Sequence, residues 1–125
     1  TRLARLSVLD VNDSAVASFD PLLGTLPLLS SLSCLNTPAS TSFGMPEKPE
    51  VGAVVVRRAG SGLKMGRVDL SLLKLTAVPT SIWLKGALRT ALVSLSLAGN
   101  MLTALPSPLS LLPSLSYLDV THNKL

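Results

Sequence analysis

Any chemistry in this chain must come from one histidine, one cysteine, seven acids and eleven bases. Asp119 and His122 lie close enough in sequence to touch, but no nucleophile accompanies them, so the arrangement that activates a serine or cysteine is incomplete. One Cys and one His give no zinc-ligand spacing. Gly60-Ser61-Gly62-Leu63-Lys64-Met65-Gly66 follows a Val-rich run and invites a phosphate-loop reading. It fails both templates: GxGxxG needs glycine at Met65, and a P-loop needs Lys-Ser/Thr after its last glycine. Arg57, Arg58, Lys64 and Arg67 form a basic cluster that could touch acidic lipid or nucleic acid. No interleaved aromatics supply a stacking platform, so a solvated loop is the simpler account. Arg57-Arg58-Ala59-Gly60-Ser61 fits the pattern of a basic-directed kinase site, and Asn12-Asp13-Ser14 matches the glycosylation triplet. Both patterns are short and unspecific.

The elements that would position these residues show first in the composition. The 125 residues are 47% apolar, 3% aromatic and 14% charged, with a mean hydropathy of +0.50. Roughly one residue in five is leucine and about one in seven is serine, against a usual charged share near a quarter. Low charge with high hydropathy argues against disorder. Pro, Ser, Thr or a charge breaks every apolar stretch short of the roughly 18 residues a membrane span requires. A single cysteine allows no internal disulfide and suits a reducing compartment, hence a cytoplasmic expectation. No signal peptide is evident, although Thr1 is not an initiator and a leader ahead of it stays open.

Internal repetition organises the rest. Leu92-Val93-Ser94-Leu95-Ser96-Leu97-Ala98-Gly99-Asn100-Met101-Leu102 aligns with Leu115-Ser116-Tyr117-Leu118-Asp119-Val120-Thr121-His122-Asn123-Lys124-Leu125 at an offset of 23 residues. Both read LxxLx(L/V)xxNxL, and the stretch between them reads xxLPxxLxxLxx. Upstream, Met65, Val68, Leu70, Leu75, Val78, Pro79 and Ile82 fill the slots of Leu92, Leu95, Leu97, Leu102, Leu105, Pro106 and Leu109 in a 27-residue unit, with the surplus around residues 84–89. Leu6, Leu9, Val11, Val16, Phe19, Leu23 and Leu26 fill them again near the start, and Leu29, Leu32 and Cys34 begin the next unit. Four repeats and the first half of a fifth result, divided as 1–37 (degenerate repeats), 38–63 and 64–125 (repeats, the last truncated). The middle segment holds Pro38, Pro46, Pro49, four glycines and both glutamates. It is expected to be an insertion, an irregular repeat or a loop on one face, or else a mis-spliced stretch.

In LxxLxL the alternate residues point one way from a short strand, and the later spacing suits a helical or 3₁₀ turn on the far side. Stacked leucines form a ladder that leaves little room for aromatic rings, and no single unit is stable alone. An amide in the asparagine slot can hold loop backbone that would otherwise be unsatisfied. Departures there (Ser14, Thr37, Leu73) predict a looser N-terminal half. The chain starts and stops within repeats, so a fragment of a longer array that tends to associate is expected.

Exposed strand positions line up across repeats as a concave surface suited to a protein or peptide. One slot reads Asp10, Ser33, Asp69, Ser96, Asp119; the slot two residues earlier reads Val8, Ser31, Arg67, Ser94, Tyr117; the adjoining turn reads Asp13, Asn36, Leu72, Gly99, His122. The candidate partner-binding set is Arg67, Asp69, Ser94, Ser96, Tyr117, Asp119 and His122, since Tyr and Arg are enriched at binding hot spots. The alternative is that these are ordinary solvated positions.

Residues 102–115 followed by Leu118-Asp119-Val120-Thr121-His122-Asn123-Lys124-Leu125 resemble intracellular leucine-rich repeat proteins, both the Ras-binding scaffold type and the repeat domain of Roco-family kinases. The resemblance covers 65–125 well and 3–36 moderately, and does not extend to 38–62. It implies an α/β leucine-rich repeat solenoid, a horseshoe with short parallel strands on its concave face. The function it implies is protein binding in a signalling scaffold, with no catalysis. The other readings are a non-catalytic regulatory domain of a larger Roco-type kinase/GTPase, or a truncated product without function. No cofactor, metal, nucleic acid, membrane span or small-molecule substrate is expected.

Overall fold

The computed structural model describes residues 4–84 and 86–125. Expectations that fall on Thr1, inside the first repeat, and on Lys85, inside the surplus of the third, lie outside these residues.

Five three-residue strands recur along the chain: β1 (Val8–Asp10), β2 (Ser31–Ser33), β3 (Arg67–Asp69), β4 (Ser94–Ser96) and β5 (Tyr117–Asp119). Each centres on an apolar residue that turns inward while its two neighbours face out, as a period of two dictates. Leu32, Val68 and Leu95 are buried; Leu9 and Leu118 are half-buried. Pairing is parallel. Leu9 lies opposite Leu32, and Val68, Leu95 and Leu118 form a second matched series. Parallel neighbours cannot be joined by a tight hairpin, so a long return path leads from each strand to the next. Those paths carry 3₁₀ turns at Pro21–Thr25, Thr80–Ile82 and Ser107–Leu111, and before β4 a short helix, α3 (Leu88–Ala91). The first turn is capped where it begins, because Asp20 Oδ1 accepts Leu22 N–H at 2.9 Å ahead of Pro21.

The core is aliphatic and continuous. Leu32, Leu70, Leu92, Leu95, Leu97 and Leu102 are fully buried. Three details depart from expectation. Trp83 is also fully enclosed, because the longer return path of the 27-residue unit gives an indole the room that shorter units lack. Met65, matched to the slot of Leu92, is 70% exposed, since the turn at 63–66 carries it outward while Gly66 goes in. Leu105, read as a ladder residue, is 43% exposed.

The largest departure is at 38–63. The segment holds α1 (Pro38–Thr41) and α2 (Pro49–Gly62), so the loop expectation is corrected. Pro49 opens α2 with Glu50 in its first turn, and Gly52, Ala53, Val55, Val56, Ala59, Gly60 and Gly62 are buried. That face recurs at three- and four-residue spacing but is built from small side chains, which allow backbone to approach. A Cβ at Gly52 would stand 2.8 Å from Leu32 O, and one at Gly60 would stand 2.7 Å from Pro21 O. Three glycines cost a helix about 1 kcal/mol each relative to alanine, so docking rather than propensity holds α2.

This helix divides the strands into two sheets, β1-β2 and β3-β4-β5. Leu32 O on β2 meets Gly52, and Arg67 O on β3 meets the Cα side of Gly62, so α2 lies along both facing edges. Two arginines fasten it. Arg57 Nη2 donates to Leu29 O (2.7 Å), just ahead of β2. Arg58 Nη1 donates to Asp69 O and Ser71 O (3.1 Å each), on the edge of β3 that does not meet β4. Carbonyls that a neighbouring strand would otherwise satisfy are satisfied by side chains.

Candidate partner-binding face

The register of β3, β4 and β5 fixes two rows of outward residues. Arg67 lies opposite Ser94 and Ser94 opposite Tyr117; Asp69 lies opposite Ser96 and Ser96 opposite Asp119. Neighbours within a row are about 4.8 Å apart, the strand spacing. Arg67, Asp69 and Tyr117 are exposed, and Ser94, Ser96 and Asp119 half-buried. Six of the seven candidate residues therefore share one face. His122 is also exposed but sits three residues beyond β5, in the turn. Tyr117, at 57% exposure, is the large aromatic of this face.

The two aspartates have a second task. Asp69 Oδ1 accepts Ser71 N–H at 2.9 Å; Asp119 Oδ1 accepts Thr121 N–H at 3.0 Å and Thr121 Oγ1–H at 2.7 Å. Asp10 does the same for Asn12 N–H at 2.9 Å. These are Asx-type turns, in which a carboxylate replaces a missing backbone acceptor as the strand ends. Donors on Ser71, with Arg58 nearby, hold the Asp69 carboxyl below the usual carboxylate range. Thr121 does the same for Asp119, helped by His122 and opposed by burial and by Asp69. The signal was visible in sequence as the recurring Asp-x-Asn/Ser/Thr of Asp10-Val11-Asn12, Asp69-Leu70-Ser71 and Asp119-Val120-Thr121.

The next turn row explains His122. Asp13, Asn36, Leu72, Gly99 and His122 all have φ between 56° and 68°, the left-handed region. Asp, Asn, His and Gly are the residues that enter it most readily. His122 is thus chosen by backbone geometry. Leu72 is the misfit of the row, strained at φ 58° and 79% exposed, with its side chain over Gly99.

One residue further on, the asparagine slot anchors the turns. Asn100 Nδ2 donates to Leu97 O and Leu70 O (2.9 Å each), and its Oδ1 accepts Leu73 N–H (3.0 Å) and Leu75 N–H (3.1 Å). Asn123 Nδ2 donates to Val120 O (3.0 Å) and Leu97 O (2.8 Å), while Oδ1 accepts Leu102 N–H (3.0 Å). One amide therefore satisfies backbone in two successive units.

Other candidates resolve into structure. The segment 60–66 is the end of α2 and a turn; Gly60, Gly62 and Gly66 are buried against backbone rather than open as a phosphate cradle. Arg57 and Arg58 of the basic cluster are committed to carbonyls. Asn12 Oδ1 accepts Ser33 Oγ–H and Leu35 N–H at 2.7 Å each. Cys34 is fully buried, and burial pushes its thiol pKa up, away from the reactive thiolate. Among the described residues no group of three or more His, Cys, Asp or Glu is placed to hold a metal. No described helix is long and apolar enough to cross a membrane. A shallow groove of about 400 Å³ runs between residues 44–48 and 73–77, away from the strand rows.

No protein-family model, curated protein or solved structure matches this chain.

Proposed function

We propose that this chain is a stretch of leucine-rich repeat solenoid that serves as a protein–protein interaction module of a cytoplasmic signalling scaffold. It takes a protein partner across β3–β5, does no chemistry of its own and uses no cofactor. The observation that carries this reading is the register, which sets Arg67–Ser94–Tyr117 beside Asp69–Ser96–Asp119 on one strand platform. Short strands hold such side chains with little backbone freedom to lose on binding, which favours affinity for a fixed surface. Tyr117 and Arg67 are the hot-spot residue types, and Ser94 and Ser96 are small enough to let a partner's chain approach. Nucleic acid is the weaker match because Arg57 and Arg58 are turned to protein carbonyls.

The test uses residues that hold no turn. Charge reversal at Asp69 or Asp119 would disturb the backbone as well as the face, so Tyr117→Ala and Ser94→Arg are preferred. Partners captured by crosslinking from cytosol and identified by mass spectrometry are titrated against the original chain and both variants, with circular dichroism as the folding control. A hot spot of about 2 kcal/mol predicts roughly 30-fold weaker binding. A partner bound equally well by both variants places its contact elsewhere.

A further inference from the structure

We propose that Ser61 is a phosphorylation site whose modification releases α2 from the two half-sheets. Ser61 is exposed in the last turn of the helix, and its Oγ donates to Arg57 O at 3.1 Å. Helical spacing puts Arg57 and Arg58 four and three residues before it, and Lys64 stands three residues after it, just past the helix. Arg57 and Arg58 are the two side chains that fasten α2, one toward Leu29 O and one toward Asp69 O and Ser71 O.

A kinase would move the terminal phosphoryl group of a nucleoside triphosphate to Ser61 Oγ. A new O–P bond forms, the anhydride bond to the departing diphosphate breaks, and the hydroxyl proton passes to the kinase's base. The product carries a charge near −1.5 to −2 about one helical turn along the backbone from both arginines, whose long side chains can swing to it. The arginine–carbonyl bonds are already charge-assisted, but the phosphate adds net charge attraction and three acceptor oxygens that a guanidinium can meet bidentately, so it outcompetes the carbonyls for the arginines. The added anion also stands at the negative end of the helix dipole, which it destabilises. Both effects loosen the same contacts.

Access comes from the same turn. Ser61 is exposed although Gly60 and Gly62 beside it are docked against backbone, so presenting Arg58–Ser61 in extended form requires this end to undock, a local opening that the poor helix propensity of both glycines favours. Phosphate acquired in the open state then opposes redocking, a shift of population toward a state already visited.

The experiment incubates the full chain with ATP and the catalytic domain of a serine kinase that reads arginine three residues before its target. Mass spectrometry then locates the phosphate, and hydrogen exchange reports on α2. Phosphate is expected on Ser61 and absent from that site in Ser61→Ala. Amides of 49–62 in the modified protein should exchange faster by about tenfold or more, while those of β4 should be unchanged. A chain left unmodified at Ser61 overturns the site. A phosphorylated chain with unchanged exchange across α2 overturns the release.

Discussion

The two half-sheets solve one problem with different residues. In β3–β5 the asparagine slot holds Asn100 and Asn123, and each amide reaches across to the preceding unit. Around β1–β2 the slot holds Ser14 and Thr37, whose hydroxyls stay within their own unit by donating to Val11 O and Cys34 O at 2.6 Å. These four occupants each satisfy the carbonyl three residues before them, and Leu73, which cannot, leaves Leu70 O to Asn100; what the hydroxyl lacks is reach. The lost cross-link is rebuilt beside the slot, where Asn12 accepts from Ser33 and Leu35, and Asn36 Nδ2 donates to Asp13 Oδ1 at 2.8 Å. Thr37 takes an added role as cap of α1, accepting Ser40 N–H. The requirement for satisfied turn backbone is therefore more general than the residue type that usually meets it.

Four measurements would break or sharpen this contrast. The largest expected effect is in the core. Leu95→Ala should cost about 2–5 kcal/mol by urea denaturation, and Leu9→Ala clearly less, because Leu95 is fully buried and Leu9 is not. Equal losses would mean that the halves are packed alike. Next, Asn100→Ser should cost about 2–3 kcal/mol, since a hydroxyl cannot serve Leu70 O, Leu73 N–H and Leu75 N–H together. Thr37→Ala should cost about 1 kcal/mol, the usual worth of a helix cap. A loss at Thr37 matching that at Asn100 would remove the argument from reach.

A gain of about 1 kcal/mol is expected for Leu72→Asn, because asparagine tolerates the left-handed backbone that leucine resists. No gain would show that the contact of Leu72 with Gly99 offsets its strain. The smallest effect is that of acid. Asp69 and Asp119 have carboxyls lowered by their turn donors, so their stabilisation is present above the ordinary carboxylate range and is lost as pH falls through the lowered values. The melting temperature should therefore decline below about pH 4. Asp119→Asn should blunt that decline, and an unchanged acid profile would detach the carboxylates from turn stability.

The strand positions, the turn row and the asparagine slot were legible because they recur at a fixed period with distinct chemistry. Leu95 and Leu118 occupy one slot, and so do Asn100 and Asn123. α2 was not legible. Its buried face is Gly, Ala and Val, so close backbone contact, rather than large apolar side chains at helical spacing, holds it. Gly60 and Gly62 read as loop residues for the same reason, although the fold uses them for what a Cβ would obstruct. The outward rows could be placed from sequence, but the turn-holding work of Asp69 and Asp119 needed the geometry of their Oδ1 contacts.

A chain of units that touch mainly their neighbours has stability set by each unit and by each junction. Where strands pair directly, the junction carries a ladder of backbone hydrogen bonds. Between β2 and β3 it carries a glycine-rich helix and two arginines instead. Cooperativity between the halves must pass through a joint that also includes Phe19 N–H donating to Ser81 O at 3.0 Å, beside the helix and its arginines. Should it weaken before either half melts, the protein would unfold as two foldons with separate midpoints rather than in one transition.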